Sequence, residues 1–167
     1  MRLDETPPEP PPNAPTATRR AQSFLAFDYG AKRTGVASGN SLLGSARPLT
    51  TVKAEGKARF APIEKLIDEW QPDALVVGVP FHPDGAAHEN TEAARRFARQ
   101  LHGRFHLPVH EVDERYSTTE ALAGGARDAD AAAAAILLQQ YFDQLERAAR
   151  MAEWAATEPP APFPEFP

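Results

Sequence analysis

Apolar residues along this chain follow two rhythms. Phe24-Leu25-Ala26-Phe27 and Ala74–Val79 (ALVVGV) are short continuous apolar runs, the pattern of strands covered on both faces of a sheet. Between them, Phe60, Ile63, Leu66, Ile67 and Trp70 recur at helical spacing, with Glu64, Lys65, Asp68 and Glu69 interleaved. That spacing predicts a helix over residues 57–70, with Pro62 in its first turn and Pro72 marking its end. Thr34–Ser38 reads as a second strand, joined to the first by a Gly-containing hairpin turn, and Leu49–Val52 as a third. Ala93, Ala94, Phe97, Ala98 and Leu101 form one face of a helix over 89–103, and Pro108–Val112 is a fifth strand. Ser117 with Glu120 three residues on is a capping box for a short helix to Ala123. After Gly124-Gly125, residues 130–150 form the last helix. The order β-β-β-α-β-α-β-α-α predicts an α/β fold, a mixed five-stranded sheet flanked by helices, with the first, fourth and fifth strands parallel.

The ends read differently. Residues 1–20 contain Pro7, Pro8, Pro10, Pro11, Pro12 and Pro15, and residues 153–167 contain Pro159, Pro160, Pro162, Pro164 and Pro167. Both are expected to be extended, disordered tails around one folded domain over residues 21–152. The chain lacks cysteine, which excludes disulfides, thiol nucleophiles and cysteine–zinc sites. With no apolar run long enough for a bilayer and no signal-like N-terminal stretch, the expected location is cytoplasmic. The net charge of -5 argues mildly against nucleic acid. The C-terminal tail contributes Glu153, Glu158 and Glu165 with no base, so the folded part is closer to neutral, and divalent cations on its acids would neutralise it further.

Candidate chemistry concentrates in residues 28–35, DYGAKRTG. Asp28 is placed where the first strand leaves the core. Gly30 and Gly35 permit a tight turn or close approach, and Lys32 and Arg33 bring two cations near the carboxylate. The alternative is a hairpin with an Asp turn residue and surface bases. Two further acidic positions stand out: the pair Asp113-Glu114 at the exit of the fifth strand, and Asp130. On a helix, Asp130, Ala134, Leu137 and Tyr141 share one apolar stripe, which aims Asp130 at the sheet; otherwise Asp130 simply caps its helix. Carboxylates at two strand ends and one helix start can converge on one sheet edge. Hard oxygen ligands without histidine suit Mg²⁺ or Mn²⁺, and two such ions about 4 Å apart are the arrangement of phosphodiester hydrolysis. Asp113 and Glu114 are adjacent on a strand and face opposite ways, so only one leads into the site; the longer Glu114 is favoured. Arg95, Arg96 and Arg99 form a basic helix face suited to phosphates, or merely to solubility.

These segments together are similar to a known family. DYGAKRTG at 28–35, ALVVGVP at 74–80, DERYST at 113–118 and DADAAAAAILLQQYF at 128–142 resemble, in order, the YqgF/RuvX family, over roughly residues 23–142. Its members are described as pre-16S rRNA nucleases or Holliday-junction-resolvase-like proteins. The resemblance implies an RNase H-like fold, a bacterial cytoplasmic nuclease, Asp28, Glu114 (or Asp113) and Asp130 as metal-binding acids, and Lys32, Arg33 and Arg115 along the substrate side. Two features depart from the family. A longer basic loop is often present where this chain has only Gly124–Ala129, with Arg127 its sole base, and an Asn common after the GLP-like turn is absent from Gly78-Val79-Pro80-Phe81-His82.

The leading expectation is therefore a metal-dependent nuclease acting on structured RNA, in maturation of the 5′ end of pre-16S rRNA, or on branched DNA such as a Holliday junction. A non-catalytic RNA-binding scaffold is the alternative from another class. Asp28-x-Gly30 after a strand also resembles the phosphate loop of sugar kinases and actin-like ATPases, but those need a second domain to close over ATP. The sequence leaves monomer and dimer equally open.

Overall fold

The computed structural model describes residues 22–81, 84–86, 89–114 and 128–157. Strand β1 (Ser23–Tyr29) is the centre of the sheet. Its side chains alternate between two clusters: Leu25 and Phe27 enter one, Phe24 and Ala26 the other. That alternation is the pleat of a strand buried on both faces. β2 (Thr34–Asn40) returns antiparallel, with Asp28 opposite Gly35 and Tyr29 opposite Thr34. β3 (Ser45–Val52) is longer than the expected Leu49–Val52 and pairs antiparallel with β2. Its register slips where Val36 faces Thr50 and Ala37 faces Pro48, leaving Leu49 as the extra residue of a bulge. Pro48, which has no N–H to give a ladder, belongs on this edge strand.

A 3₁₀ turn (Gly56–Arg59) leads into α1 (Phe60–Trp70), so the predicted helix over 57–70 begins in the tighter form. β4 (Ala74–Val79) is buried throughout and pairs parallel with β1. α2 (Thr91–Phe105) follows, then β5 (Val109–Asp113), parallel to β4. The last described helix, α3, spans Ala129–Thr157. The sheet order is β3-β2-β1-β4-β5. Together with β2 as the antiparallel member, this is the mixed sheet predicted from the element order and the RNase H-like arrangement that the family resemblance implies.

α1 and α2 cover one face, where Phe27, Tyr29 and Phe60 pack their rings around Phe97 at centroid distances of 5.9, 5.1 and 6.0 Å. α3 covers the other through Ala134, Leu137, Leu138 and Phe142, packed on Phe24, Ala26, Ala37, Val76 and Val112. The compact unit spans Ala21–Leu145, and α3 continues beyond it. The helix runs through residues expected to begin the C-terminal tail, because Ala152, Ala155 and Ala156 are strong helix formers and the first helix breaker is Pro159. The short helix expected from Ser117 lies outside the described residues. No described helix is long and apolar enough to cross a membrane.

Candidate active site

Asp28 is the sixth residue of β1, inside the strand rather than beyond it. It is half-buried, and strand alternation turns its side chain to the α3 face with Phe24 and Ala26. A glycine lies on each side of it. Gly35 is its antiparallel partner on β2, and Gly78 is one rung past the last parallel pair, Phe27 with Val77.

Each glycine admits an acidic segment. A Cβ on Gly35 would stand 1.9 Å from the carbonyl oxygen of Asp130, so the first turn of α3 rests directly on this backbone. A Cβ on Gly78 would stand 2.7 Å from both Cδ and Oε1 of Glu114 and 2.9 Å from Leu137 Cδ2, so the Glu114 carboxylate lies over β4 in the space a side chain would fill. Glu114 is held there by its own N–H, which donates to the Val79 carbonyl at 3.0 Å. The order across the sheet is thus Glu114 over Gly78, then Asp28, then Asp130 on Gly35. The two glycines are separated by two strand spacings, about 10 Å.

The neighbouring acids divide by position. Val112 is buried on the α3 face, Asp113 is exposed, and Glu114 returns to the α3 side. Asp130 is not the cap of its helix. Asp128 is: its carbonyl accepts the Ala132 N–H at 2.9 Å, and its Oδ1 accepts the Ala131 N–H at 3.1 Å. The same Oδ1 accepts the Thr51 hydroxyl at 2.5 Å, which ties the start of α3 to β3. Thr51 is the register partner of Gly35, so one rung of the sheet fixes the helix twice.

Arg33 Nε lies 3.1 Å from Asp130 Oδ2, with the two side chains 63% and 34% exposed. The turn cation therefore occupies one candidate acid. Among the described residues no group of three His, Cys, Asp or Glu is drawn close enough to hold a metal as it stands. The donor set still fits a hard divalent cation: three carboxylates share one face, and the Gly78 cradle seats one of them. Asp28, Glu114 and Asp130 are the carboxylates on this face that could hold one.

The remaining candidates are dispersed. Lys32 is exposed at the turn. Arg95, Arg96 and Arg99 line the exposed face of α2, but two are engaged. Arg95 lies over the Phe81 ring at 5.1 Å, and Arg99 Nη2 donates to Glu92 Oε1 at 2.9 Å. That hydrogen bond, aided by the Arg99 charge, lowers the Glu92 carboxyl below its ordinary range. Arg115, Arg127 and His82 lie outside the described residues.

Two contributors escaped the sequence reading. Gly78 had a usable signal, an isolated glycine inside an apolar strand, which marks close approach. Arg59 had none, since it stands among charged residues that read as solvated.

The fold is an RNase H-like α/β domain, with Asp28, Glu114 and the first turn of α3 on one face of its sheet. The family model described as "RuvX: Holliday junction resolvase" matches residues 22–144, and the chain belongs to that family. A protein of Albidiferax ferrireducens named "Putative pre-16S rRNA nuclease" is 70% identical over 121 residues, which cover 72% of this chain and 78% of that one. A Polaromonas protein of the same name is 63% identical over 131 residues, 78% of this chain and 95% of that one. Among solved structures, Thermus thermophilus RuvC in complex with a Holliday junction substrate aligns with a TM-score of 0.49 at 18% identity, over 75% of this chain and 96% of that one.

Proposed function

We propose that this chain is a metal-dependent nuclease that hydrolyses phosphodiester bonds in RNA and acts in maturation of the 5′ end of pre-16S rRNA. The observation that carries this is the pair of glycines flanking Asp28, one seating the Glu114 carboxylate and the other the first turn of α3. The names of the relatives support the substrate class.

Asp28, Glu114 and Asp130 would hold Mg²⁺ or Mn²⁺, two ions in the full arrangement. Bound there, such ions generate a nucleophile at neutral pH and stabilise charge on the leaving oxygen. The protein's own part is positioning. Asp28, on the central strand, is the fixed point. Glu114 is set by the β4–β5 ladder, and Asp130 by the Asp128 cap and its Thr51 tie. Arg33 balances Asp130; with a cation held by the acids, it would be available to a substrate phosphate beside Lys32. Arg115 belongs to the same substrate side by family resemblance. Arg95, Arg96 and Arg99 bind phosphates farther along, with Arg99 shared with Glu92. The protein works in the cytoplasm.

The test is Mn²⁺-dependent cleavage of an RNA carrying the 5′ leader of 16S rRNA, with a four-way DNA junction alongside. Cleavage of the RNA, abolished by Asp28→Asn, is the expected result. Cleavage of the junction alone establishes a resolvase, the second reading, which the family description favours. Binding without turnover on either substrate establishes the scaffold.

A further inference from the structure

Among the described residues, Arg59 is the only charged side chain that is buried, at 3% exposure. Burying a guanidinium is costly unless its donors are met. Here four hydrogen bonds engage all three of its nitrogens. Nη1 donates to the Gly30 carbonyl at 3.0 Å and the Thr34 hydroxyl at 3.1 Å, Nη2 to the Ala31 carbonyl at 2.9 Å, and Nε to the Gly56 carbonyl at 3.1 Å. The charge lies 4.5 Å from the Tyr29 ring centroid and 5.6 Å from that of Phe97, both favourable to a cation.

All but one of these bonds go to a single element, the turn that joins β1 to β2. Gly30 and Ala31 are where the chain leaves β1 after Asp28, and Thr34 is where it enters β2. The turn folds tightly on itself, since a Cβ on Gly30 would stand 2.6 Å from the Arg33 carbonyl oxygen. Its outer residues are Lys32 and Arg33, and Arg33 pairs with Asp130. Arg59 reaches the turn from the α1–α2 side of the sheet, through Tyr29 and Phe97, whereas Asp28 faces α3. The guanidinium therefore grips three backbone carbonyls and a hydroxyl, not acids. A planar fork with five donors can hold both arms of a turn at once, which a lysine ammonium cannot.

We propose that Arg59 is a positioning residue for the nuclease site: it sets the Gly30–Arg33 turn from beneath and so fixes where Asp28, Lys32 and Arg33 stand relative to the reacting phosphate. This rests on the nuclease reading for its kinetic part, but its structural part is read independently.

The test compares Arg59→Met and Arg59→Lys with the parent chain by amide hydrogen exchange, Mn²⁺ titration and single-turnover cleavage. In Arg59→Met, amides of residues 30–34 should exchange about tenfold faster or more, with β4 and α2 unchanged. Mn²⁺ affinity should fall several-fold, and the single-turnover rate roughly tenfold to a hundredfold with little change in substrate binding. Arg59→Lys keeps the charge and should rescue neither turn protection nor rate. Thr34→Val removes one acceptor while leaving Arg59 in place, and should move the same readouts in the same direction by less. It serves as the test if Arg59→Met does not fold. The proposal is overturned if turn exchange and Mn²⁺ affinity stay at parental values in the folded variants, or if lysine restores the rate. A parent chain that cleaves nothing would defeat the nuclease reading, while turn exchange and Mn²⁺ affinity would still decide the role of Arg59.

Discussion

Gly35 and Asp130 meet backbone to backbone: a Cβ on the glycine would lie 1.9 Å from the carbonyl oxygen of Asp130. The absence of a side chain at position 35 is what lets the acidic start of α3 reach the rung where Asp28 stands. Gly78 does the same on the other side for Glu114.

The glycines should therefore be more sensitive than their size implies. Gly35→Ala must push α3 away from the sheet, at a cost of about 1–3 kcal/mol for an overpacked contact that cannot fully relax. It should also weaken the melting-temperature rise given by Mn²⁺, because Asp130 moves with the helix. Gly78→Ala should displace the Glu114 carboxylate and reduce the metal response at a smaller stability cost. Thermal melts with and without Mn²⁺ check both.

Asp113 and Glu114 should differ. Glu114→Gln should lower cleavage by at least about a hundredfold, while Asp113→Asn, altering an exposed carboxylate on the opposite side of the strand, should have a much smaller effect. The check is single-turnover cleavage at saturating Mn²⁺. A reversed order of severity would sink the assignment.

Much of this was legible in the sequence. Continuous apolar runs identified β1 and β4, helical spacing found α1 and α2, and the alternation of elements yielded the mixed sheet with β1, β4 and β5 parallel. Boundaries were less visible. β3 begins at Ser45 because its ladder to β2 survives a bulge and a proline, features that read as loop locally. The last helix continues to Thr157 because nothing in Ala152–Thr157 stops it. For the site, the acids were recognisable by type and order, but the glycines' contacts connect residues distant in sequence. The Asp128 cap was hidden because Asp128 and Asp130 are both good capping residues, and only hydrogen-bond partners separate them. Arg59 was hidden for a similar reason, since a buried arginine and a solvated one look alike until their surroundings are known.

Arg33 should act in two opposed ways. It balances Asp130 at 3.1 Å, so Arg33→Ala removes a cation from among acids and should tighten Mn²⁺ binding a few-fold without nucleic acid. Turnover should fall nonetheless, because the charge at the reacting phosphate is lost. Calorimetric titration with Mn²⁺ and single-turnover kinetics separate the two effects. Weaker metal binding in Arg33→Ala would contradict the first.

The α2 face should respond to Glu92. Its carboxyl, held below the ordinary range by Arg99, stays charged and keeps Arg99 occupied at neutral pH. That pairing is present above the ordinary carboxylate range and is lost as pH falls through the lowered value. Glu92→Gln should free Arg99, strengthen RNA binding and steepen the log–log salt slope by about one unit. Replacing Arg95, Arg96 and Arg99 together by Ala should flatten the slope and leave saturated turnover nearly intact. Binding measured against salt concentration checks both.

The central claim is that Asp28, Glu114 and Asp130 act together through a divalent cation to cut RNA. The most direct measurement is cleavage of the 16S 5′-leader RNA as Mn²⁺ is titrated, in the parent chain and in Asp28→Asn, with folding followed by circular dichroism. The predicted result is metal-dependent cleavage by the parent and none by a fully folded Asp28→Asn that has also lost its Mn²⁺-induced rise in melting temperature. Cleavage that persists in Asp28→Asn, or that proceeds equally well with all divalent cation chelated, would contradict the account.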